Sequence, residues 1–367
     1  MLPSKIYATV LEEEALEQYN DAMKQPFVIA GALMADAHKG YSLPIGAVVA
    51  TLGWVVPSWV GYDIGCGMCA LRLDGIDLKS VEANSDDIFE FIYRDIPVGF
   101  HKNVKPTPYS LDGLTAKGEE IAILKTHDRA LGSLGGGNHF IEIGYDEEDA
   151  VWVIIHSGSR GVGHGIATHY MKTAHPEGRP KEGHHGFHQD SPEGKDYIQD
   201  LNWCLDFALA NRKEMMKRVV NCITEALDMD CYELDFSELI NRNHNHAIDK
   251  GNVWVHRKGA TQAEEGMLGV IPGNMRDGSF IVRGKGNPAS IHSSSHGAGR
   301  VYGRKEAKRI LNMEDFTDTM QGVTALVTAD TLDESPEAYK NIFEVMEAQK
   351  DLVDIVHHVK PIINIKG

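Results

Sequence analysis

The chain has 367 residues, of which 42% are hydrophobic and 24% charged, the balance of a soluble globule with ample material for a core. No apolar run approaches the roughly 18–20 residues of a membrane span, and the N-terminus, MLPSKIYATVLEEEALEQY, turns acidic without an apolar stretch, so neither a transmembrane helix nor a secretory signal is expected. Net charge is −17, which in bulk opposes a nucleic-acid partner, yet residues 250–310 hold eleven Lys/Arg against four Asp/Glu. A locally basic site on an acidic body stays compatible with a phosphate-rich substrate. The five cysteines, Cys66, Cys69, Cys204, Cys222 and Cys231, form an odd, scattered set. They argue against a disulfide framework and for a reducing, cytoplasmic setting.

Along the chain, residues 8–24 place Val10, Leu11, Ala15, Leu16, Tyr19 and Met23 near helical spacing with acids opposite, which predicts an amphipathic helix. Strand-rich sequence follows in FVIAGAL and IGAVVATLGWVVPSWVGYDIGC. Helices are expected over 85–95 and 113–130, with a loop at 98–112. VWVIIHS (151–157) reads as a buried strand that delivers a polar side chain at its tip. Residues 165–195, rich in His, Gly and Pro, lack sustained periodicity and predict an irregular excursion or lid, with the HHGFH cluster solvated. Next come a long helix over 196–228, the strands VWVHR, MLGVIP and SFIVRG, a basic helix RKEAKRIL, an acidic helix over 336–357 and a closing strand PIINIKG. No internal repeat or long linker appears, so residues 1–367 read as one large mixed α/β domain.

The chemistry gathers in glycine-rich turns: GYDIGCG, LGSLGGGNHF, HSGSRGVGHG, IPGNMRDGS and HGAGR. Glycine permits positive φ and lets backbone N–H groups approach an anion. Asp63 and Cys66 lie three apart in the first turn, able to aim a carboxylate and a thiolate at one ion or to bridge two. Taken alone, Cys66 is more often a small buried apolar residue, and Cys66 with Cys69 also spells C-x-x-C, a redox or half-zinc pattern with no second copy. His139, His156 and His244 each adjoin a polar or Gly-rich turn at the end of an apolar element, whereas His164, His169, His175, His184, His185, His188 and His246 lack that setting. One such histidine is usually structural. Together, Asp63, Cys66, His139, His156 and His244 would suit two divalent ions sharing the thiolate. They do not select the metal, since zinc outcompetes manganese at most such sites on affinity.

His296 sits between a serine run and Gly-Ala-Gly-Arg in SIHSSSHGAGR. An imidazole nitrogen can attack a phosphate to form a labile phosphoramidate, and serines, glycine amides and Arg300 suit the surroundings of that phosphate. The bland alternative is a Gly-rich turn around a buried histidine. Asn274 and Ser279 offer polar groups to a base or ribose. Lys366, after the apolar run IINI, is either a tethered cation or a frayed terminal lysine.

GYDIGCGM, GGGNHFIEI, IHSGSRGVG, HNHAIDK, RKGAT, IPGNM, SFIVRG, SHGAGR and the final IKG occur in the order seen in RtcB-type RNA ligases, so nearly the whole chain resembles that family, in its shorter bacterial form. The resemblance implies stacked mixed β-sheets with flanking helices around a central metal cleft. It implies two Mn²⁺ ions on Asp63, Cys66, His139, His156 and His244, with Cys66 bridging, and guanylylation of His296 by GTP. By the same resemblance, Asn138, Glu142, Asn245, Pro272, Gly273, Asn274, Met275, Ser279, Gly297, Ala298, Gly299 and Lys366 would contact the guanine nucleotide, and Arg160 and Arg300 the RNA phosphates. The implied reaction opens a 2′,3′-cyclic phosphate, activates the 3′-phosphate with GMP and joins it to a 5′-hydroxyl, in tRNA splicing or RNA repair, with no obligatory protein partner evident. Alternative readings are a binuclear metallophosphoesterase acting on RNA ends without ligation and a non-catalytic RNA-end-binding paralogue. Three departures stand out: Ala35-Asp36-Ala37-His38 replaces the family's Pro-Asp-Val-His, Asn274 replaces a serine, and Arg276-Asp277 follow it. The longer Asn274 side chain puts nucleotide preference or guanylylation rate in question.

Overall fold

The computed structural model describes residues 3–179, 183–230 and 232–367. It is a mixed α/β structure built on two large sheets. The larger sheet runs, in spatial order, Leu268–Pro272, Ser279–Gly284, Val353–Lys366, Phe140–Tyr145, Val151–Ser157, Gly67–Leu73 and Ile240–Asn243, with Thr324–Ala325 paired to Val353–Lys366 off this path. Neighbours along the path are antiparallel. The second sheet orders Ser4–Ile6, Val28–His38, Ile45–Leu52, Val253–Lys258 and Asn245–Asp249. Strands at the heart of both sheets read as near-continuous apolar runs because both faces are covered. Val151–Ser157 is buried at every residue, with Val153 and Ile155 on a core shared with helix Pro192–Ala226 and Ile154 on the opposite face. No helix among the described residues is long and apolar enough to cross a membrane.

Most expected elements form. The first helix is Glu13–Met23, the long one Pro192–Ala226, and VWVIIHS is strand Val151–Ser157. Pro192 occupies the first turn of the long helix, and the Ser191 hydroxyl accepts the Gly194 amide, a side-chain cap on the exposed donors of the helix start. Residues 113–130 divide into Ala116–Leu124 and His127–Ala130, because Thr126 takes a left-handed backbone, φ 50°.

Two expectations are corrected. The 165–195 excursion is largely ordered: residues up to Ala174 continue helix Arg160–Ala174, Phe187–His188 pairs with Trp54–Val55, and the long helix starts at Pro192. The histidine cluster is not simply solvated, since the Trp59 indole donates to His184 Nδ1 at 3.0 Å and Phe187 is buried. Tertiary contacts there replaced the missing periodicity. Positions 180–182 of the excursion, and Cys231, lie outside the described residues. The acidic helix over 336–357 is also overturned. Only Pro336–Ala338 and Ile342–Ala348 are helical, and Val353–Lys366 is one long strand. Its first half, VDIVHHV, holds a single acid among β-branched residues and pairs with Ser279–Gly284, and its second half pairs with Phe140–Tyr145, so the acidic run stops where the strand begins.

One buried guanidinium ties these elements at the site. Arg212, on the long helix, donates to Gly65 O (2.9 Å), Ser157 O (2.8 Å), Asn241 Oδ1 (2.7 Å) and Asn243 Oδ1 (2.6 Å). Its neighbour Asn211 bonds Gly132, Ser133, Ser157 and Gly158. Removing Arg212 orphans several buried acceptors, each worth about 1–3 kcal/mol. Arg212→Met should therefore lower stability by about 3 kcal/mol or more, read as a shift in the urea midpoint; a loss under about 1 kcal/mol would show that the clamp is dispensable.

Candidate active site

Asp63 and Cys66 occupy the tight turn that the glycine pattern suggests. The Cys66 amide donates to Asp63 O at 3.1 Å, and Gly65 has φ 72°. A Cβ on Gly65 would lie 2.7 Å from the Ala208 methyl, so the turn presses directly on the long helix. Gly158 is equally constrained, because a side chain there would fall 2.3 Å from an Asp63 carboxylate oxygen. His156 arrives at the end of Val151–Ser157, His139 just before Phe140–Tyr145, and His244 between Ile240–Asn243 and Asn245–Asp249.

These five side chains converge. Cys66 Sγ lies 3.2 Å from His156 Nε2 and 3.5 Å from His139 Nε2. His139 Nε2 is 2.9 Å from Asp63 Oδ2, and the Nε2 atoms of His156 and His244 are 3.3 Å apart. The ligand atoms form two groups, Cys66–His156–His244 and Asp63–Cys66–His139, each compact enough for one ion and both containing the thiol. The outer ring nitrogens are already committed: His139 Nδ1 meets Leu134 O and His156 Nδ1 meets Asn138 O, both at 2.9 Å. Asn138 O accepts a hydrogen bond from His156 Nδ1–H, which leaves the Nε2 lone pair of His156 turned inward. Burial, then neighbouring histidines, holds His156 and His244 well below the usual imidazole range, so both rings are neutral. Burial alone would raise the Asp63 carboxyl, but His139, Cys66 and Arg160 together keep it below the ordinary carboxylate range. Two neutral imidazoles with their Nε2 atoms 3.3 Å apart, beside a thiol and a carboxylate, make a donor set that suits a cation.

His296 stands against this cluster, its ring 4.8 Å centroid to centroid from His244. Its Nδ1 lies 2.6 Å from Asp36 Oδ2, and its amide donates to the same oxygen at 3.2 Å. Asp36 is fully buried in strand Val28–His38. Desolvation opposes its charge, yet His296 and His38 hold the carboxyl below the usual range. An ionised Asp36 accepts the hydrogen bond from His296 Nδ1–H, which leaves the Nε2 lone pair of the ring unprotonated. Sequence reasoning noted Asp36 without a role; its signal was a lone carboxylate inside an apolar strand, where a charge is rarely buried without a partner.

From His296 a cavity of about 260 Å³ extends past Gly297–Gly299, Pro272, Gly273 and Asn274 to Asn138, Glu142, Asn364 and Lys366. Asn245, also in its wall, donates to Asp63 O (3.2 Å) and accepts from the Gly259 amide (2.8 Å), so it braces the metal turn. Lys366 is not frayed: it is 7% exposed, bonded to Glu334 at 3.0 Å, and lies over the Phe140 ring. Glu142 is buried between Ser279 Oγ (2.9 Å) and Asn364 Nδ2 (3.2 Å), and burial pushes its carboxyl up to about 7. Ser279 thus meets the cavity through Glu142. The Met275 side chain packs with Phe316, Met320 and Leu332, away from the cavity wall. The Asn274 amide is tied into its own turn, accepting from the Arg276 and Asp277 amides and donating to Asp277 Oδ2 at 2.7 Å. The Asn-Met-Arg-Asp departure is therefore a self-consistent turn, with Asp277 matching Asn274.

Glu334, unsuspected from sequence, is the hub of the far wall. It pairs with Arg300 (3.2 Å), Arg304 (2.6 Å) and Lys366, and accepts from the Tyr339 hydroxyl. Arg300 is thus occupied at the cavity edge, also donating to Asp333 O and Tyr302 O. Arg160 bonds Ser133 Oγ and Gly99 O near Asp63.

A family model described as "tRNA-splicing ligase RtcB" matches residues 18–128 and 114–367. The chain is 36% identical to the RNA-splicing ligase RtcB of Escherichia coli strain K12, across 97% of this chain and 95% of that protein. The chain belongs to the RtcB family. It is also 30% identical to the RNA-splicing ligase RtcB of Mycobacterium tuberculosis, over 96% and 100% of the two chains, and 28% identical to the tRNA-splicing ligase RtcB of Nanoarchaeum equitans, over 100% and 95%. Membership supports an RNA ligase that acts on RNA, and this RtcB-family chain carries a side-chain cluster suited to metal.

Glu334 gives a sign-defined test of the far wall. Burial would raise its carboxyl, but Lys366, Arg304, Tyr339 and Arg300 pull it down to about 2. A lowered carboxylate contributes stability that is complete above about pH 4.5 and disappears as pH falls toward about 2. Glu334→Gln should be less stable than the wild type by about 3 kcal/mol at pH 7, with the gap narrowing below about pH 4.5 in urea titrations. A gap independent of pH would refute the assignment.

Proposed function

We propose that this protein is a GTP- and Mn²⁺-dependent RNA ligase that joins an RNA 3′-phosphate, or a 2′,3′-cyclic phosphate after opening, to a 5′-hydroxyl through a guanylylated His296. The observation that carries the reading is the His296 ring, aimed by buried Asp36 and set against His244 of a Cys-centred ligand cluster. A hydrolase needs the cluster; it does not need a tethered imidazole nucleophile beside a nucleotide-sized cavity.

Asp63, Cys66 and His139 would hold one ion, and Cys66, His156 and His244 the other. Ions held there would supply Lewis-acid polarisation of phosphoryl oxygens. The chain's own groups do the rest. Asp36 keeps the proton on Nδ1 of His296, so Nε2 attacks the α-phosphorus of GTP, a P–N bond forms, and pyrophosphate leaves. An oxygen of the RNA 3′-phosphate then attacks the same phosphorus, the P–N bond breaks, and the ring is released neutral. The RNA end now carries GMP as a leaving group. Attack of the 5′-hydroxyl on the RNA phosphorus forms the phosphodiester and expels GMP. Glu142 in its ionised form would accept from guanine N1–H and its exocyclic amine, with Lys366 nearby as a fixed cation. The Gly297–Gly299 loop would let backbone approach the phosphate. Arg160 and Arg300 are the proposed RNA phosphate contacts, and the cytoplasm the proposed setting.

Two experiments test this. With Mn²⁺ and GTP labelled at the α-phosphate, the wild type should acquire acid-labile, alkali-stable label, absent from His296→Ala and Cys66→Ala. Asp36→Asn should slow labelling about a hundredfold or more, because the ring loses its fixed tautomer. A wild type that binds metal, opens cyclic phosphate ends and takes no label would favour the hydrolase. The second reads pH. Burial places Glu142 near 7, so guanine binding requires proton loss from it. GTP affinity should weaken about tenfold per pH unit below about 7 and level off above. Glu142→Gln should flatten that profile and erode the preference for GTP over ATP. A wild-type affinity independent of pH between 6 and 8, taken as about one unit either side of neutrality, would exclude Glu142 as the guanine acceptor.

A further inference from the structure

Residues 98–112 carry no regular element and pass the metal centre close to Arg160. The segment is anchored at its start: Val98 bridges to Gly135, the Gly99 amide donates to Gly135 O at 2.7 Å, and Gly99 O accepts from Arg160 Nη2 at 2.8 Å. Arg160 in turn stands beside the ligand cluster, since a Cβ on Gly135 would lie 2.2 Å from its Nη1 and 2.4 Å from His139 Nδ1. One residue beyond this anchor, Phe100 is 103% exposed, and Val104 follows at 89%. A phenyl ring held wholly in water forfeits the roughly 1.5–3 kcal/mol that burial would contribute. Phe100 joins none of the apolar clusters among the described residues.

Cations stand near the same anchor. Lys102 Nζ donates to Lys125 O at 2.7 Å and Thr126 Oγ1 at 2.6 Å, both uncharged acceptors. Burial, then the charges of Arg160 and Lys125, lowers the Lys102 pKa, with Asp128 the opposing carboxylate. The Lys125 stem lies along Gly161 and Gly165 in the first turns of the Arg160 helix, so Lys102 is repelled by two neighbouring cations on a chain whose net charge is −17. An anion laid along them would relieve that repulsion. Duplex nucleic acid offers phosphates but hides its base faces. A single strand offers both a phosphate line and free π-faces, the pairing that an exposed ring beside a cation row recognises.

We propose that Phe100, Arg160, Lys102 and Lys125 form a landing track for one single strand of RNA entering the metal centre, with the ring stacking on a base and the cations following the phosphates. The proposal rests on the RNA-ligase reading for the identity of the strand, since either the 5′-hydroxyl or the 3′-phosphate strand presents this chemistry.

The test uses the full chain and a short fluorescein-labelled RNA, single-stranded or annealed to its complement, followed by anisotropy. Phe100→Ala should weaken single-strand binding about tenfold, with Phe100→Trp restoring it, because stacking of one base contributes roughly 1–3 kcal/mol. Lys125→Ala should lower the slope of log affinity against log salt by about 0.7, one phosphate contact. Equal losses for strand and duplex in Phe100→Ala, or no loss for the strand, would overturn the track, the second outcome leaving the exposed ring for a protein partner. Joining two separate strands while varying each in turn then assigns the occupant. The strand whose KM rises in Phe100→Ala lies on the track, and a rise for neither would also overturn it. Label transfer from GTP to the wild type, run without RNA, reports on the ligase reading separately: loss of label with intact stacking dependence would sink that reading and leave the track standing.

Discussion

A single guanidinium in the interior decides where the clustered His, Cys and Asp side chains stand. Arg212 reaches from the long helix to Gly65 in the Asp63–Cys66 turn, to Ser157 beside His156, and to Asn241 and Asn243 beside His244. Its partners are carbonyl oxygens, not a carboxylate. A buried cation satisfied this way is stable only while every acceptor stays in place, so the three ligand-bearing segments are locked to one helix and to each other. The ring orientations follow from smaller commitments of the same kind, with His139 and His156 each bonded through Nδ1 to a backbone carbonyl. The cluster is thereby shaped before any ion arrives, which is what a metal centre of fixed geometry needs.

The nucleotide side uses the opposite strategy, with charge balanced by charge. Glu334 collects Arg300, Arg304 and Lys366 around one carboxylate at the cavity wall. The pairing keeps the Lys366 ammonium near Glu142, whose own carboxyl is driven upward by burial. One wall thus holds a firmly ionised acid and the other an acid poised near neutrality, a difference set by their environments. His296 joins the two halves. Asp36 fixes it from the second sheet, and His244 meets it from the metal side.

Much of this was readable in the residues. Runs such as VWVIIHS became strands at their expected boundaries, because β-branched apolar sequence has few other ways to be buried. The three clustered histidines stood out by their context at the ends of apolar elements, and Asp63 with Cys66 by their spacing in a glycine turn; the structure brings all five together. What failed were segments whose local preference was weak. The 165–174 stretch is helical despite Gly165 and His169, and residues 353–360 form a strand although Asp354 closes an acidic run, each held by neighbours distant in sequence. Lys366 looked like a frayed end because its counter-ion, Glu334, lies 32 positions away.

The sequence by itself determined the inventory: which donors exist, which turns can bend tightly enough to present them, and which strands must be interior. Those follow from properties carried by each residue or its near neighbours, such as glycine's freedom, apolar periodicity and ligand chemistry. Tertiary structure alone decided the couplings. Asp36 meets His296 across 260 positions, and Arg212 reaches Gly65 across 147. Such contacts depend on how sheets and helices pack, and no local rule encodes the register that brings one buried charge to one chosen oxygen.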